Sequence, residues 1–298
     1  MVVTLRVQVG PWQAVLGAVP YLTEETVRRI NRRRARGKAR RLRFRSKTTI
    51  ARDLFRSVSG HLKQLNLKVY VLFDSWYASA RFMRQIRRHG FHYICSLRKN
   101  RTLDGVSLKA LNATARRNQE KSQRVTLESS SGRSIYYVVP FRGRLNNLPG
   151  PVCVIASRRH PRSRSAEYFL TSDCSLSPCE ILKHYQARWP IEVDYLYAKM
   201  RLGIGQFRMR RTESVEKWLF LVFLALNYLY FQRALLITSR ITSQLSLAQV
   251  IRLHQRDFTH RQLREVCKLA LRYRSTRKAL QQYGRKRRPP FIMSMSSI

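Results

Sequence analysis

The sequence has little negative charge, few cysteines and no long apolar run. Its 298 residues include 59 Lys and Arg but 16 Asp and Glu, a formal net charge of +43. So much positive charge repels itself unless a polyanion is present, so nucleic acid is the expected partner. Five cysteines without a CxxC pair argue against a disulfide framework or a structural zinc site. The longest apolar run, residues 218–231, is shorter than the about 18 residues of a membrane span and predicts a buried helix, with no membrane partner.

The positive charge is densest in Arg28–Arg45, where 11 of 18 residues are basic and none is acidic. One interpretation is contact with a phosphate backbone, with Arg32, Arg33 and Arg34 as candidate DNA-binding residues. The other is a solvated basic loop. A second basic cluster, Arg285–Arg288, precedes two prolines in the C-terminal tail. This charge predicts the class of partner and leaves the activity open.

Apolar periodicity predicts a mixed α/β fold. Val2–Val9 and Trp12–Val19 form a predicted strand pair, and an apolar strand at Lys68–Phe73 ends directly at Asp74. With a helix near 78–89 and a strand at 91–97, this segment predicts at least one parallel strand pair. Four β-rich runs between residues 100 and 172 predict a strand-rich insertion. The remaining predicted helices cover 47–65, 177–202 with a break at Pro190, 212–233, and 245–273 with a break near 257–259.

Asp74 is the first candidate site residue. Open α/β sheets place ligand-binding residues at the ends of apolar strands. The alternative is that Asp74 caps the following helix. Trp76, two residues later, fits base stacking and core packing equally well, whereas Trp189 is expected in the core.

A row of polar residues near Pro190 is the second candidate. On an ideal helix Tyr185, Arg188, Glu192 and Lys199 fall within a stripe about 60° wide. The alternative is an exposed face with an Arg188–Glu192 ion pair. Asp194 points the opposite way and is expected to be a surface residue or to have a tertiary partner. If Pro190 opens a second helix, Glu192 lies near its positive N-terminus.

The spacing Tyr185-x2-Arg188-x3-Glu192-x6-Lys199 resembles the YREK signature of bacterial insertion-sequence DDE transposases, whose catalytic domain is RNase H-like. VLFDSWYAS around Asp74 is similar to the second-aspartate segment of that family, and residues 91–100 are similar to the strand after it. The resemblance covers most of residues 2–233. It implies an RNase H-like mixed sheet flanked by helices (residues 1–99 and 173–235), a β-rich insertion (100–172) and a basic helical C-terminal region with a tail (236–298).

The resemblance also implies an activity and roles for individual residues. Asp74 and Glu192 would be the second and third acids of a catalytic triad and ligands of two Mg²⁺ or Mn²⁺ ions. Tyr185, Arg188 and Lys199 would hold DNA phosphates. The expected reaction is cleavage and strand transfer of double-stranded transposon and target DNA in the bacterial cytoplasm, at the nucleoid, with a homodimer expected in the DNA complex.

The first acid of the triad has no counterpart in the expected place. Before Asp74 the acids are Asp53, inside a predicted helix, and Glu24 and Glu25, beside the arginine run. We therefore expect an N-terminally truncated transposase with an incomplete two-ion site, which does not cleave DNA alone. The alternatives are a catalytically dead DNA-binding or interfering protein and, from charge alone, an RNA-binding protein. The 68–73 strand is expected to pair with Val2–Val9 or to leave an open apolar edge.

Overall fold

The computed structural model describes residues 1–34, 41–118, 122–129, 132–209, 211–239, 245–273, 275, 277–278 and 280–282, with the side chains of 33, 129 and 273 outside the description. Part of the predicted basic stretch, residues 35–40, and the basic cluster at 285–288 thus lie outside the described residues. The chain divides into two units, one of Met1–Val7 and Val15–Leu226 and one of Gln8–Ala14 and Asn227–Ile298.

Ten strands and eight helices are defined in the described residues. The strands are β1 (Val2–Val9), β2 (Trp12–Pro20), β3 (Tyr70–Phe73), β4 (His92–Leu97), β5 (Thr102–Leu103), β6 (Val106–Ser107), β7 (Gln123–Ser129), β8 (Gly132–Gly143), β9 (Val152–Arg158) and β10 (Glu167–Thr171). The helices are α1 (Glu24–Arg34), α2 (Lys47–Gln64), α3 (Ala80–Arg88), α4 (Leu108–Arg117), α5 (Pro178–Gln186), α6 (Pro190–Met200), α7 (Thr212–Thr238) and α8 (Leu247–Tyr273).

The main sheet of the first unit has six strands in the order β3-β4-β10-β9-β8-β7. β3 and β4 are parallel, with Phe73 opposite Cys95, and the predicted parallel pair is confirmed. β10 runs antiparallel to β4, with Thr171 opposite Ile94. The four strands of the predicted insertion, β7–β10, therefore continue the same sheet as β3 and β4.

Side chains alternate across this sheet and fill two cores. On one face Phe73 and Tyr93 pack with Phe82 of α3 and Phe55 of α2. On the other face Ile94, together with residues of β9 and β10, packs against Ile181 and Leu182 of α5. Helices thus cover both faces, and the predicted mixed sheet flanked by helices is confirmed.

β1 and β2 form a separate two-stranded sheet. The 68–73 strand was expected either to pair with Val2–Val9 or to leave an open edge, and the structure has the open edge. Among the described strands β3 pairs with β4 alone, and its other side forms the edge of the sheet. α1 and α4 were not predicted. α8 is one continuous helix, so the break expected near 257–259 is wrong.

The second unit contains the β-hairpin tip, the end of α7, and α8. Trp12 packs against Phe231, with ring centroids 5.8 Å apart, and Tyr228 lies 5.5 Å from His254 of α8. Within the described residues α7 is the one helix long and apolar enough to cross a membrane, with a mean hydropathy of 1.6 and 33% of that window buried. A core helix of a soluble protein satisfies the same criteria, so this is weak evidence for a membrane span.

Candidate metal and DNA site

Asp74 lies at the carboxyl end of β3 and begins a tight turn. Its Oδ1 accepts a hydrogen bond from the Trp76 backbone N–H at 2.9 Å, a local pattern typical of aspartate in turns. The N-cap of α3 is Ser79, whose side chain accepts from the Phe82 N–H. The capping alternative for Asp74 is therefore wrong, and the carboxylate is held by its own turn at the end of the strand.

Glu192 lies in the first turn of α6, as expected if Pro190 opens a second helix. Arg188, in the turn before α6, donates from Nη2 to Glu192 Oε1 at 2.7 Å and lies 5.5 Å from the centre of the Tyr185 ring. Burial alone would lower the pKa of Arg188, but the hydrogen bond to Glu192 and the negative charge nearby raise it. The guanidinium therefore stays charged and fixed between a phenol ring and a carboxylate.

The four residues of the polar row lie on three different segments. α5 ends at Gln186 and α6 begins at Pro190, so Tyr185 belongs to one helix and Glu192 and Lys199 to the other. Tyr185 packs against Phe169 with ring centroids 4.6 Å apart, while Lys199 is exposed. The single 60° stripe calculated for a continuous helix does not describe this geometry.

Two side chains fasten α6 to β1. Tyr195 donates its hydroxyl proton to the Val2 carbonyl at 2.9 Å and is also hydrogen-bonded to Thr4 Oγ1 at 2.9 Å. Asp194 forms an ion pair with Arg6 at 3.0 Å, and both side chains are buried. The expected tertiary partner of Asp194 is thus Arg6, and the ion pair sets the position of the helix that carries Glu192.

Tyr77 lies in the turn that Asp74 begins, and its backbone N–H donates to the Asp74 carbonyl at 3.2 Å. Burial raises the pKa of Tyr77 to about 12, with smaller contributions from Asp74 and from Tyr195 of α6.

Two carboxylates supply the hard oxygen ligands that Mg²⁺ and Mn²⁺ prefer. A two-ion site needs carboxylates that bridge both ions. Over the described ranges, however, no three His, Cys, Asp or Glu side chains come together as metal ligands. These residues by themselves do not fit a complete two-ion site.

Asp173 is a buried acid near the opposite end of β3 from Asp74, and it was not predicted as a site residue. Its carboxylate accepts from Tyr70 at 2.6 Å, from Ser175 at 2.6 Å and from Lys68 at 2.8 Å. Burial would raise the pKa of Asp173, but these hydrogen bonds together lower it well below its usual value. Both carboxylate oxygens of Asp173 accept hydrogen bonds from other protein groups, which is typical of a structural carboxylate.

The basic stretch contributes a cavity of about 440 Å³ lined by Arg28, Asn31, Arg32 and Arg41. Asn31 joins α1 to the chain at Leu42 by two hydrogen bonds of 2.8 Å: its side-chain amide donates to the Leu42 carbonyl, and its Oδ1 accepts from the Leu42 N–H. Of the three predicted DNA-binding arginines, Arg32 is exposed and lines the cavity, and Arg34 forms an ion pair with Glu213 at 3.7 Å. The side chain of Arg33 lies outside the described residues.

Two tryptophans near the candidate acids are exposed. Trp189, in the turn between α5 and α6, is 60% exposed, so the expectation of a core position is wrong. Trp76 is 59% exposed, and Lys47 and Arg98 lie over its ring. These two cations were not predicted, because they come from elements distant in sequence and only the fold brings them to the indole.

Residues 45–228, more than half of the chain, match the family model described as the transposase DDE domain. The matched range contains the Asp74 turn, both helices at the polar row and all four residues of that row. The mixed sheet flanked by helices and the helical C-terminal region agree with an RNase H-like transposase domain. No curated protein matches the chain.

Proposed function

The chain belongs to the transposase DDE domain family, and from that premise we propose that it binds transposon DNA and supplies Asp74 and Glu192 as two acids for metal-dependent strand cleavage and strand transfer. The observation that supports this role is the position of Asp74 directly after β3 and of Glu192 in the first turn of α6, both within the range that matches the family. The end of a strand in an α/β sheet is a usual place for ligand-binding residues, and carboxylate oxygens there suit a divalent cation.

Mg²⁺ or Mn²⁺ would supply the activation of the attacking oxygen and the stabilisation of the leaving oxygen. Because the described residues hold no third acid near the pair, we assign no reaction step to the ions. The role we assign to the chain itself is to present two carboxylates and to hold DNA beside them.

Arg188 is the residue best prepared to hold a phosphate. Its Nη2 donates to Glu192 Oε1 at 2.7 Å. The other N–H groups of a guanidinium are donors of the kind that form charge-assisted hydrogen bonds with phosphate oxygens. Tyr185 fixes the guanidinium plane, and the exposed Lys199 adds a further cation.

We propose double-stranded DNA at the bacterial nucleoid as the partner, with a homodimer in the DNA complex. A net charge of +43 favours a polyanion. Affinity should fall steeply as the salt concentration rises, because binding releases counterions from DNA and their release into concentrated salt is less favourable. In competition, unlabelled RNA is expected to displace labelled transposon-end DNA less well than the same DNA does. Preferential binding of RNA would instead favour an RNA-binding protein.

A second candidate function is a non-catalytic DNA-binding or interfering protein. The observation that favours it is the lack of a third acid beside Asp74 and Glu192 in the described part of the chain. The two candidates share the DNA-binding surface and differ in whether Asp74 and Glu192 serve strand cleavage once a further acid completes the site.

The experiment that tests the incomplete site incubates the purified chain with supercoiled plasmid in Mg²⁺ or Mn²⁺, beside Asp74→Asn and Glu192→Gln. We expect all three proteins to bind DNA with similar affinity and none to nick it. Metal-dependent nicking by the unaltered chain that is lost in Asp74→Asn would show a complete active site and contradict this expectation. Affinity that is insensitive to salt would contradict the DNA-binding proposal itself.

A further inference from the structure

The second unit contains a regular row of basic side chains on α8. This helix carries six Lys and Arg residues but two acids, Asp257 and Glu265. A basic side chain or a histidine occurs at every fourth position of the row, and all of them are exposed: Arg252, Arg256, His260, Arg264, Lys268 and Arg272. α8 therefore presents a long line of positive charge to solvent.

This spacing destabilises the helix unless anions lie beside it. Side chains four positions apart are neighbours on a helix, and like charges at that spacing repel each other. Glu265 lies 3.6 Å from Lys268, but the two side chains are 54% and 74% exposed, so this ion pair offsets little of the repulsion. The phosphates of DNA form a continuous line of negative charge that would stabilise such a row.

The row winds around α8 rather than following one side of it. Each step of four residues turns the direction of the side chain by about 40° and advances it by about 6 Å. The first two cations of the row therefore lie about 160° from the last two, with His260 and Arg264 between them. The face opposite His260 and Arg264 holds partly buried side chains, among them Gln262 and Leu269. Three sides of the helix are thus cationic, and the fourth packs within the protein.

We propose that α8 binds in the major groove of double-stranded DNA, with the two ends of the row on the phosphates of opposite strands and Arg264 directed at the base edges. A helix about 10–12 Å in diameter fits a groove about 12 Å wide, which has a phosphate backbone on each side. Contact with a single backbone would instead require the cations on one side of the helix. An arginine at the floor of the groove can donate to guanine O6 and N7. This inference rests on the proposed function in so far as that function requires DNA binding.

The test measures binding of the full-length chain to a DNA duplex of mixed sequence and to an RNA duplex of the same sequence, whose major groove is too deep and narrow for side chains to read. The double variant Arg256→Gln with Lys268→Gln removes one cation from each side of α8 and keeps good helix formers. We expect it to bind the DNA duplex about tenfold more weakly at about 0.1 M salt, with a salt slope smaller by about two and with unchanged affinity for the RNA duplex. The matched control, Lys63→Gln with Arg88→Gln, removes the same charge from exposed positions in the last turns of α2 and α3 and should change either affinity less than about twofold.

Hydrogen exchange of the unaltered chain gives a second measurement that does not depend on the variants being folded. Exchange of the α8 amides should slow when the DNA duplex is added, because the phosphates relieve the repulsion along the row. Equal exchange with and without DNA would overturn the inference, and so would equal losses of affinity in the two double variants or on the two duplexes. In all three cases the proposed DNA binding stands, because the unaltered chain still binds the DNA duplex. If the unaltered chain does not bind that duplex, the proposed function fails and the inference fails with it.

Discussion

Replacing Asp194 by alanine should destabilise the attachment of α6 to β1 more than any exposed ion-pair variant of this chain. The carboxylate is 3.0 Å from Arg6, and the two side chains are only 3% and 5% exposed. Removing one partner of a buried pair leaves the other charge buried without compensation, which costs about 3–5 kcal/mol. By contrast, the pair of Arg28 and Glu24 is 2.7 Å long but 72% and 55% exposed, and such pairs contribute about 1 kcal/mol or less.

The matched variants are Asp194→Ala, the double variant Arg6→Met with Asp194→Leu, and the exposed control Glu24→Ala. The double variant removes both charges and keeps apolar volume, so it should recover most of the lost stability. Urea denaturation should be combined with hydrogen exchange of the β1 and α6 amides, because two units need not unfold in one transition.

A cost below about 1 kcal/mol for Asp194→Ala would refute the reasoning. So would a double variant that is as unstable as the single one. Faster exchange confined to β1 and α6 would show that the ion pair acts locally, on the helix that carries Glu192.

Two further predictions concern the other end of β3 and the DNA surface. Asp173→Ala should lower the free energy of unfolding by about 2–3 kcal/mol at neutral pH, measured by urea denaturation. The control is Asp53→Ala, which removes two ion pairs that are more exposed than that of Asp173 and should lower it by about 1 kcal/mol or less. Because the pKa of Asp173 is lowered in the folded chain, its contribution to stability is fully present above the unfolded pKa of about 3.9 and is lost as the pH falls through the folded pKa. A stability difference between the unaltered chain and Asp173→Ala that grows in acid would contradict this. Lys199→Ala should weaken binding to paired DNA of any sequence and reduce the slope of log affinity against log salt by about one, measured by fluorescence anisotropy; an unchanged slope would remove Lys199 from the phosphate contacts.

Features encoded within a few residues were predictable from the sequence. The β3 strand ending at Asp74 follows from an apolar run next to turn-forming residues. The start of α5 follows from Ser177 and Glu180, whose reciprocal hydrogen bonds form the capping box. In both places the physical cause is local, and the structure agrees with the prediction.

Features that depend on distant residues were not predictable. The antiparallel pairing of β10 with β4 joins Thr171 to Ile94, and no pattern in either segment specifies that partner. α1 was missed because its arginines hide the apolar signal, although Val27 is buried. Trp189 was expected in the core, whereas its place in the turn between α5 and α6 leaves it exposed.

The open edge of β3 is the part of the structure that bears on which of the two candidate functions is right. β4 occupies one side of β3, so among the described strands the other side is open, and a strand paired there would lie about 4.8 Å away. A carboxylate on such a strand, level with Asp74, would be close enough to share a metal ion with it. The four-residue length of β3 limits unwanted pairing along that edge, as short edge strands do. Catalysis by this family member would therefore depend on a further acid reaching the open side of β3, whereas the proposed DNA binding would depend on cations already in place.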